Sequence, residues 1–490
     1  MSHYSREVVE GYTLEIISRC QVTAEKCQDL LSRNYASEAP VKLSKTLSKI
    51  YSYLETAVKS IYNSIPWDGS NEEILTCITR LRDADIIVKE LAAHLRYVDG
   101  ATTRKLPWSL IKPFAKLANN LIPSTTVMLR PQWKYNYTVV TKDIKKAYYD
   151  MLYEFQDDIS GEHENLEDVL KNMTEPFHII SFPYLERKNI LLHCLLGHEI
   201  GHLFSQNFFT NELDKLFNSN NREQIINSVV KDDLPPDNLF TPVIIQERTQ
   251  LALETAIEAW KRGLEELLAD IIGTMLFGPA VLFSTWEIAL QDDLDSIPRL
   301  ENNFYPPWRM RIREILKIIE HHGTFFPLKS ENFENNSICQ KVNARFDLIK
   351  RLSDNKCDRE KIDQDPILSI AYKQILNDIS TATVEFRTIL LSNSITPDSL
   401  YRHLPHLIER INNGIPPNAY EPSVKHRETA SIVEIINAAW FHRVSWENDI
   451  FTNDGTFNKD ILELRDRMNR LTLKAIEFAG IEDDFKIGET

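Results

Sequence analysis

Ile190-Leu191-Leu192-His193-Cys194-Leu195-Leu196-Gly197-His198-Glu199-Ile200-Gly201-His202 is an apolar run that ends in the spacing H-E-x-x-H. On a helix, residues four apart share one face, so His198 and His202 lie one above the other. Two imidazoles so placed can grip one zinc ion at ~2.0–2.1 Å. Glu199 follows the first imidazole, where it can reach a metal-bound water and take its proton. Leu195, Leu196, Ile200 and Leu203 mark the helix for burial, and buried imidazoles need partners.

A catalytic zinc site normally takes three protein ligands and keeps one position open. The extended form H-E-x-x-H-x-x-G-x-x-H does not apply, because Ser205 and Phe208 occupy its Gly and third His positions. The other source of a third ligand is a glutamate on a second helix. Leu264-Glu265-Glu266-Leu267-Leu268-Ala269-Asp270-Ile271-Ile272-Gly273 supplies one. Glu266 and Asp270 share a helix face. Glu266 is the expected third ligand. Asp270 is expected to accept the free ring N–H of a ligating histidine and so fix its tautomer. Glu265 is the nearest rival ligand, without an aspartate four residues on. The plain alternative is an amphipathic helix with its acidic edge in water.

With both motifs in place, the chain resembles the gluzincins, the glutamate-liganded branch of zinc metallopeptidases that includes the thermolysin-like and CAAX-prenyl-endopeptidase types. His198, Glu199, His202, Glu266 and Asp270 carry the resemblance. Glu-x-x-Ala-Asp is most similar to the CAAX-endopeptidase type. Tyr305-Pro306-Pro307-Trp308-Arg309-Met310-Arg311-Ile312 is similar to that type's H-P-P-x-x-x-R-I segment, with Tyr305 where histidine is usual. The likeness covers roughly residues 125–320. It implies one bound Zn2+, a protein or peptide substrate, Glu199 as general base, and a zincin-like α+β core with a small sheet.

An oxyanion formed during hydrolysis needs a second donor besides the metal. Related enzymes take it from further along the chain. Tyr305, His321, His322, His442 and Arg443 are candidates here, with His322 and Tyr305 favoured because they follow the third-ligand helix closely. His193 is expected to be structural. His403 and His406 form no metal pair with visible partners. A zinc-containing regulatory or interaction protein with little turnover, and a zinc hydrolase for a non-peptide amide or ester, stay open as alternatives.

The 490 residues carry 71 acidic and 56 basic side chains, a net charge of −15. No Lys/Arg cluster of the kind nucleic acid requires stands out. The first residues show no basic and then apolar leader. The longest uncharged run, Ile271 to Trp286, is too short for a membrane span and reads as a buried helix ending near Gly278-Pro279. That separates the chain from integral-membrane members of the family it resembles. None of the six cysteines forms a C-x-x-C pair, so free thiols in a reducing cytoplasm are expected. Cys194 is expected to pack in the core.

The expected fold is mainly α, with a zincin-like core at residues 121–335 between an N-terminal helical bundle at 1–120 and a C-terminal helical region at 336–490. Helical periodicity marks Val8–Leu31, Leu43–Ile61 and Glu72–Tyr97. Thr125–Arg130, Tyr135–Val140 and Phe177–Phe182 are β-type runs. Residues 211–250 read as a polar surface insertion, and Gln291–Asp295 as a solvated acidic loop. After residue 340 helices return, with a sharp turn at Gly414–Asn418.

Overall fold

A computed structural model describes residues 5–159, 165–173, 175–212, 223–224, 226–228, 241–294, 305–321, 328, 336–354, 362, 365–390, 396–423, 426–446 and 460–488. Among the described residues the fold is mainly helical, with one mixed three-stranded sheet and one two-stranded sheet. No described helix is long and apolar enough to cross a membrane. The chain divides into two compact units, Met1–Arg187 and Lys188–Thr490. The division falls at neither residue 120 nor residue 335.

In the first unit, α1 (Arg6–Leu31), α2 (Ala39–Asn63) and α3 (Asn71–Ala92) bury one face each. Pro40 sits in the first turn of α2, where its missing N–H costs nothing. Ser70 and Glu73 form a capping box that starts α3. The chain then passes through α4 (Leu95–Gly100) and α5 (Trp108–Leu121) to β1 (Thr126–Gln132). β2 (Thr138–Val140), α6 (Ile144–Leu152), α7 (Leu166–Leu170) and β3 (Phe177–Pro183) complete the unit.

β3 lies centrally, parallel to β1 and antiparallel to β2. Met128, Phe177 and Ile179 share one buried cluster with Ile16, Leu47, Leu54 and Leu81. The sheet therefore closes the core of the N-terminal helices, which is why no boundary falls near residue 120.

In the second unit, a 3-10 turn at Ile190–Leu195 leads into α8 (Leu196–Glu212), the helix of the H-E-x-x-H motif. α9 (Thr241–Phe277) carries Glu266. It begins at Thr241, so the last ten residues of the expected insertion are helical. Asn218–Asn221 and Asp232–Asp237 lie outside the described residues.

Gly278, at φ 62°, turns the chain out of α9, and Pro279 starts α10 (Pro279–Ala289). The uncharged run is thus the end of one buried helix and most of the next. Asn437 stitches this corner: its Oδ1 accepts from the Ala280 N–H and its Nδ2 donates to the Phe277 carbonyl.

α11 (Trp308–His321), α12 (Asn336–Ser353), α13 (Pro366–Leu390) and α14 (Pro397–Asn412) follow. Gly414, at φ 73°, makes the expected sharp turn. An antiparallel pair, β4 (Ala419–Ser423) and β5 (His426–Thr429), comes next and was not anticipated. α15 (Ile432–Trp446) and α16 (Asp460–Gly488) close the chain.

A candidate metal centre

The site depends on how closely α8 and α9 approach. A Cβ at Gly201 would stand 2.8 Å from the Ala269 backbone, and one at Gly273 would stand 3.0 Å from the His198 nitrogen. Gly197 likewise faces Gly273 and the Phe277 ring. Glycine at 197 and 201 on α8, and Ala269 and Gly273 on α9, let the two backbones touch. Leu267, Leu268, Ile271 and Ile272 bury the rest of that stretch of α9. Each such side chain stabilises the packing by about 1.5–3 kcal/mol.

At this contact His198, His202 and Glu266 converge, all buried, as a group able to hold a metal ion. The two Nε2 atoms are 3.0 Å apart. Glu266 Oε2 lies 3.5 Å from His198 Nε2, and its Oε1 lies 3.5 Å from His202 Nε2. Donors at ~2.0–2.1 Å on a tetrahedral ion stand roughly 3.3 Å from one another. The three edges match that spacing within a few tenths of an ångström, so the donor set fits a first-row divalent cation.

The outer nitrogens face carboxylates too. Asp270 Oδ1 lies 2.8 Å from His198 Nδ1. Glu265 Oε1 lies 3.5 Å from His202 Nδ1. Glu265 is therefore not a competitor for the central position, because it turns to the far side of His202. Each Nδ1 thus has a carboxylate close by, neither pair being aligned as a hydrogen bond.

Arg311 ties the carboxylates together. Its Nε and Nη2 donate to Asp270 at 2.7 and 2.8 Å, and Nη1 lies 3.2 Å from Glu266 Oε2. The guanidinium packs over the Trp308 ring at 4.5 Å. Arg311 was not among the expected site residues. Its signal was the arginine of the Pro-Pro-x-x-x-Arg-Ile segment, which α11 carries to α9.

Four carboxylates (Glu199, Glu265, Glu266 and Asp270) thus surround two imidazoles, with one buried arginine. The electrostatics follow from that excess. Burial disfavours a charged His202, yet Glu266, Glu265 and Glu199 outweigh it and push the ring up to about 9. Burial opposes an ionised Asp270 as well, but Arg311 and His198 hold its carboxyl well below the usual range. Glu199 has no such clamp. Burial pushes its carboxyl up, only partly opposed by His198 and His202. A buried carboxylate with raised proton affinity, interacting electrostatically with both imidazoles, is suited to general-base work.

The candidate oxyanion donors fare differently. Tyr305 is 41% exposed and acts electrostatically on both Arg311 and Arg262. His322 lies outside the described residues, and His321 is the last residue of α11. Arg443 pairs with Glu287 at 2.8 Å. Burial pushes His442 down to about 4, with none of the metal-centre charges acting on it.

His193 is fully buried in the 3-10 turn. His403 pairs with Glu434 and stacks on Tyr420. Cys194 is a core residue, as expected. Its thiol contacts Ser284 Oγ at 2.8 Å, and burial pushes it up to about 12.

Compared with known proteins, the chain matches no family model, no curated protein and no solved structure. The likeness to gluzincins rests on these side chains and their spacing.

Proposed function

We propose that the chain is a zinc-dependent endopeptidase that hydrolyses peptide bonds of a protein substrate. The observation that carries this reading is the convergence of His198, His202 and Glu266, with Glu199 buried beside them. Two nitrogens and one carboxylate oxygen are the protein donors of a hydrolytic zinc site, whose fourth ligand is water. Zinc held there supplies an activated water near neutral pH and polarises the scissile carbonyl.

The chain's own residues do the rest. Glu199 takes a proton during attack and delivers it to the leaving amine, a transfer favoured by its raised proton affinity. Asp270 places its charge beside His198 Nδ1, and Arg311 holds Asp270. Tyr305 is the donor to the developing oxyanion in this reading, since it is part-exposed and acts electrostatically on Arg311.

The test is metal analysis of the purified chain together with cleavage of an unstructured protein such as casein. Glu199→Gln is expected to keep about one zinc per chain and to lose cleavage. Metal-replete protein that holds less than about a tenth of an equivalent would overturn the reading.

A further inference from the structure

The first unit holds a second polar cluster, unrelated to the metal donors. Along β1, alternation puts Met128 and Arg130 on the same face, and Met128 lies in the core shared with α1 to α3. Arg130 therefore projects from the face of the sheet that covers the apolar core, where it is part-buried and a charge without a partner carries a cost. Its stem runs beside Gly100, where an added Cβ would lie 3.7 Å from Arg130 Cβ and 3.8 Å from its Cδ. Its guanidinium stacks on the Tyr97 ring at 4.1 Å. Its Nε is buried without a hydrogen-bond partner.

Nothing acidic answers this charge among the described residues. Asp99, on the same short helix α4, is taken by Arg33 and Lys105. The neighbouring charge is Arg96, which adds to the positive field at Arg130. His94 stacks on Tyr97 at 5.1 Å and packs tilted against Tyr148 at 5.4 Å between ring centres. His94 Nδ1 lies 2.6 Å from the Tyr148 hydroxyl. Two arginines, a histidine and two tyrosines thus gather with no carboxylate in contact. A planar guanidinium fork held by ring stacking matches the oxygens of a phosphate group, and a second arginine suits its double charge.

We propose that Arg130 and Arg96, with Tyr97 as the stacking platform, form a binding site for a phosphate group, either the free ion or a phosphomonoester. The site is independent of the metal centre and does not rest on the peptidase reading.

The test is titration of the full chain with inorganic phosphate at constant ionic strength and pH 7.5, followed by thermal unfolding and by calorimetry. A second titration with glycerol phosphate separates the ester from the free ion, the tighter of the two being the better model of the natural ligand. Saturable binding is expected, at least tenfold weaker in Arg96→Gln and undetectable in Arg130→Met. Arg96 is exposed, so its variant is expected to fold even where the Arg130 variant does not. Equal affinity in wild type and Arg96→Gln, or a response that sodium chloride reproduces at matched ionic strength, would overturn the proposal.

Discussion

Gly201 packs against Ala269 so closely that a Cβ at 201 would lie 2.8 Å from the Ala269 Cα and carbonyl oxygen. This contact between α8 and α9 sets the distance at which the two imidazoles meet Glu266. Gly201→Ala is expected to push the helices apart, destabilise the chain by about 1–3 kcal/mol and weaken zinc binding. Urea unfolding and zinc analysis check both. Unchanged values in the two measurements would remove the contact from the account of the site.

Asp270 Oδ1 lies 2.8 Å from His198 Nδ1, and the carboxylate receives two hydrogen bonds from Arg311. Asp270→Asn keeps the shape but removes the charge beside His198 Nδ1. Zinc affinity is expected to fall roughly 10–100-fold, measured by competition with a fluorescent chelator.

Tyr305→Phe separates turnover from metal binding. If the phenol stabilises the oxyanion, kcat is expected to drop by roughly 10²-fold while zinc content stays the same. A variant with wild-type kcat would remove Tyr305 from the chemistry and leave the metal centre as described.

His94 sets a pH dependence in the first unit. Burial first, and Arg130 second, push it down to about 4 in the folded chain, against an unfolded value of ~6.5. The unfolded chain therefore takes up a proton before the folded one does. The stabilisation is complete above ~6.5 and is lost as pH falls toward the folded value. Between pH 7.5 and pH 5.0 the loss amounts to at most about 2 kcal/mol. Denaturant unfolding at the two pH values checks it, with His94→Gln expected to flatten that part of the dependence.

Cys194 and Cys77 differ in environment: the first is fully buried and the second partly exposed. Burial pushes the Cys194 thiol up to about 12, so iodoacetamide is expected to spare it in the native chain and to label Cys77. Mass spectrometry of the labelled peptides reads both. Rapid native labelling of Cys194 would mean that the corner between the 3-10 turn and α10 opens.

Periodicity carried much of the fold. α1, α2 and α3 stand where apolar spacing marks them, with ends shifted by a few residues, and β1 and β3 match their β-type runs. The run at Tyr135–Val140 yields a strand only at Thr138–Val140, since the chain first turns at residues 133–137. The pair β4 and β5 left no clear signal, because its strands are short and contain Pro422 and several charged side chains. The grouping of elements into units was not legible either. Sharing of a core depends on which faces meet after folding, as when Met128 joins the same buried cluster as Leu54.

The order of residues along one helix determined that His198 and His202 face one point and that Glu266 and Asp270 share a side, because a helix fixes those directions locally. Sixty-four positions of chain separate the second imidazole from its partner carboxylate, and helical geometry does not say how such segments meet. Only the packed structure decided that Glu265 turns outward, that Arg311 comes from a third helix to clamp two acids, and that glycines bring the backbones together. Those outcomes depend on side-chain volume and charge balance across a buried contact, which exist only once distant segments share one interior.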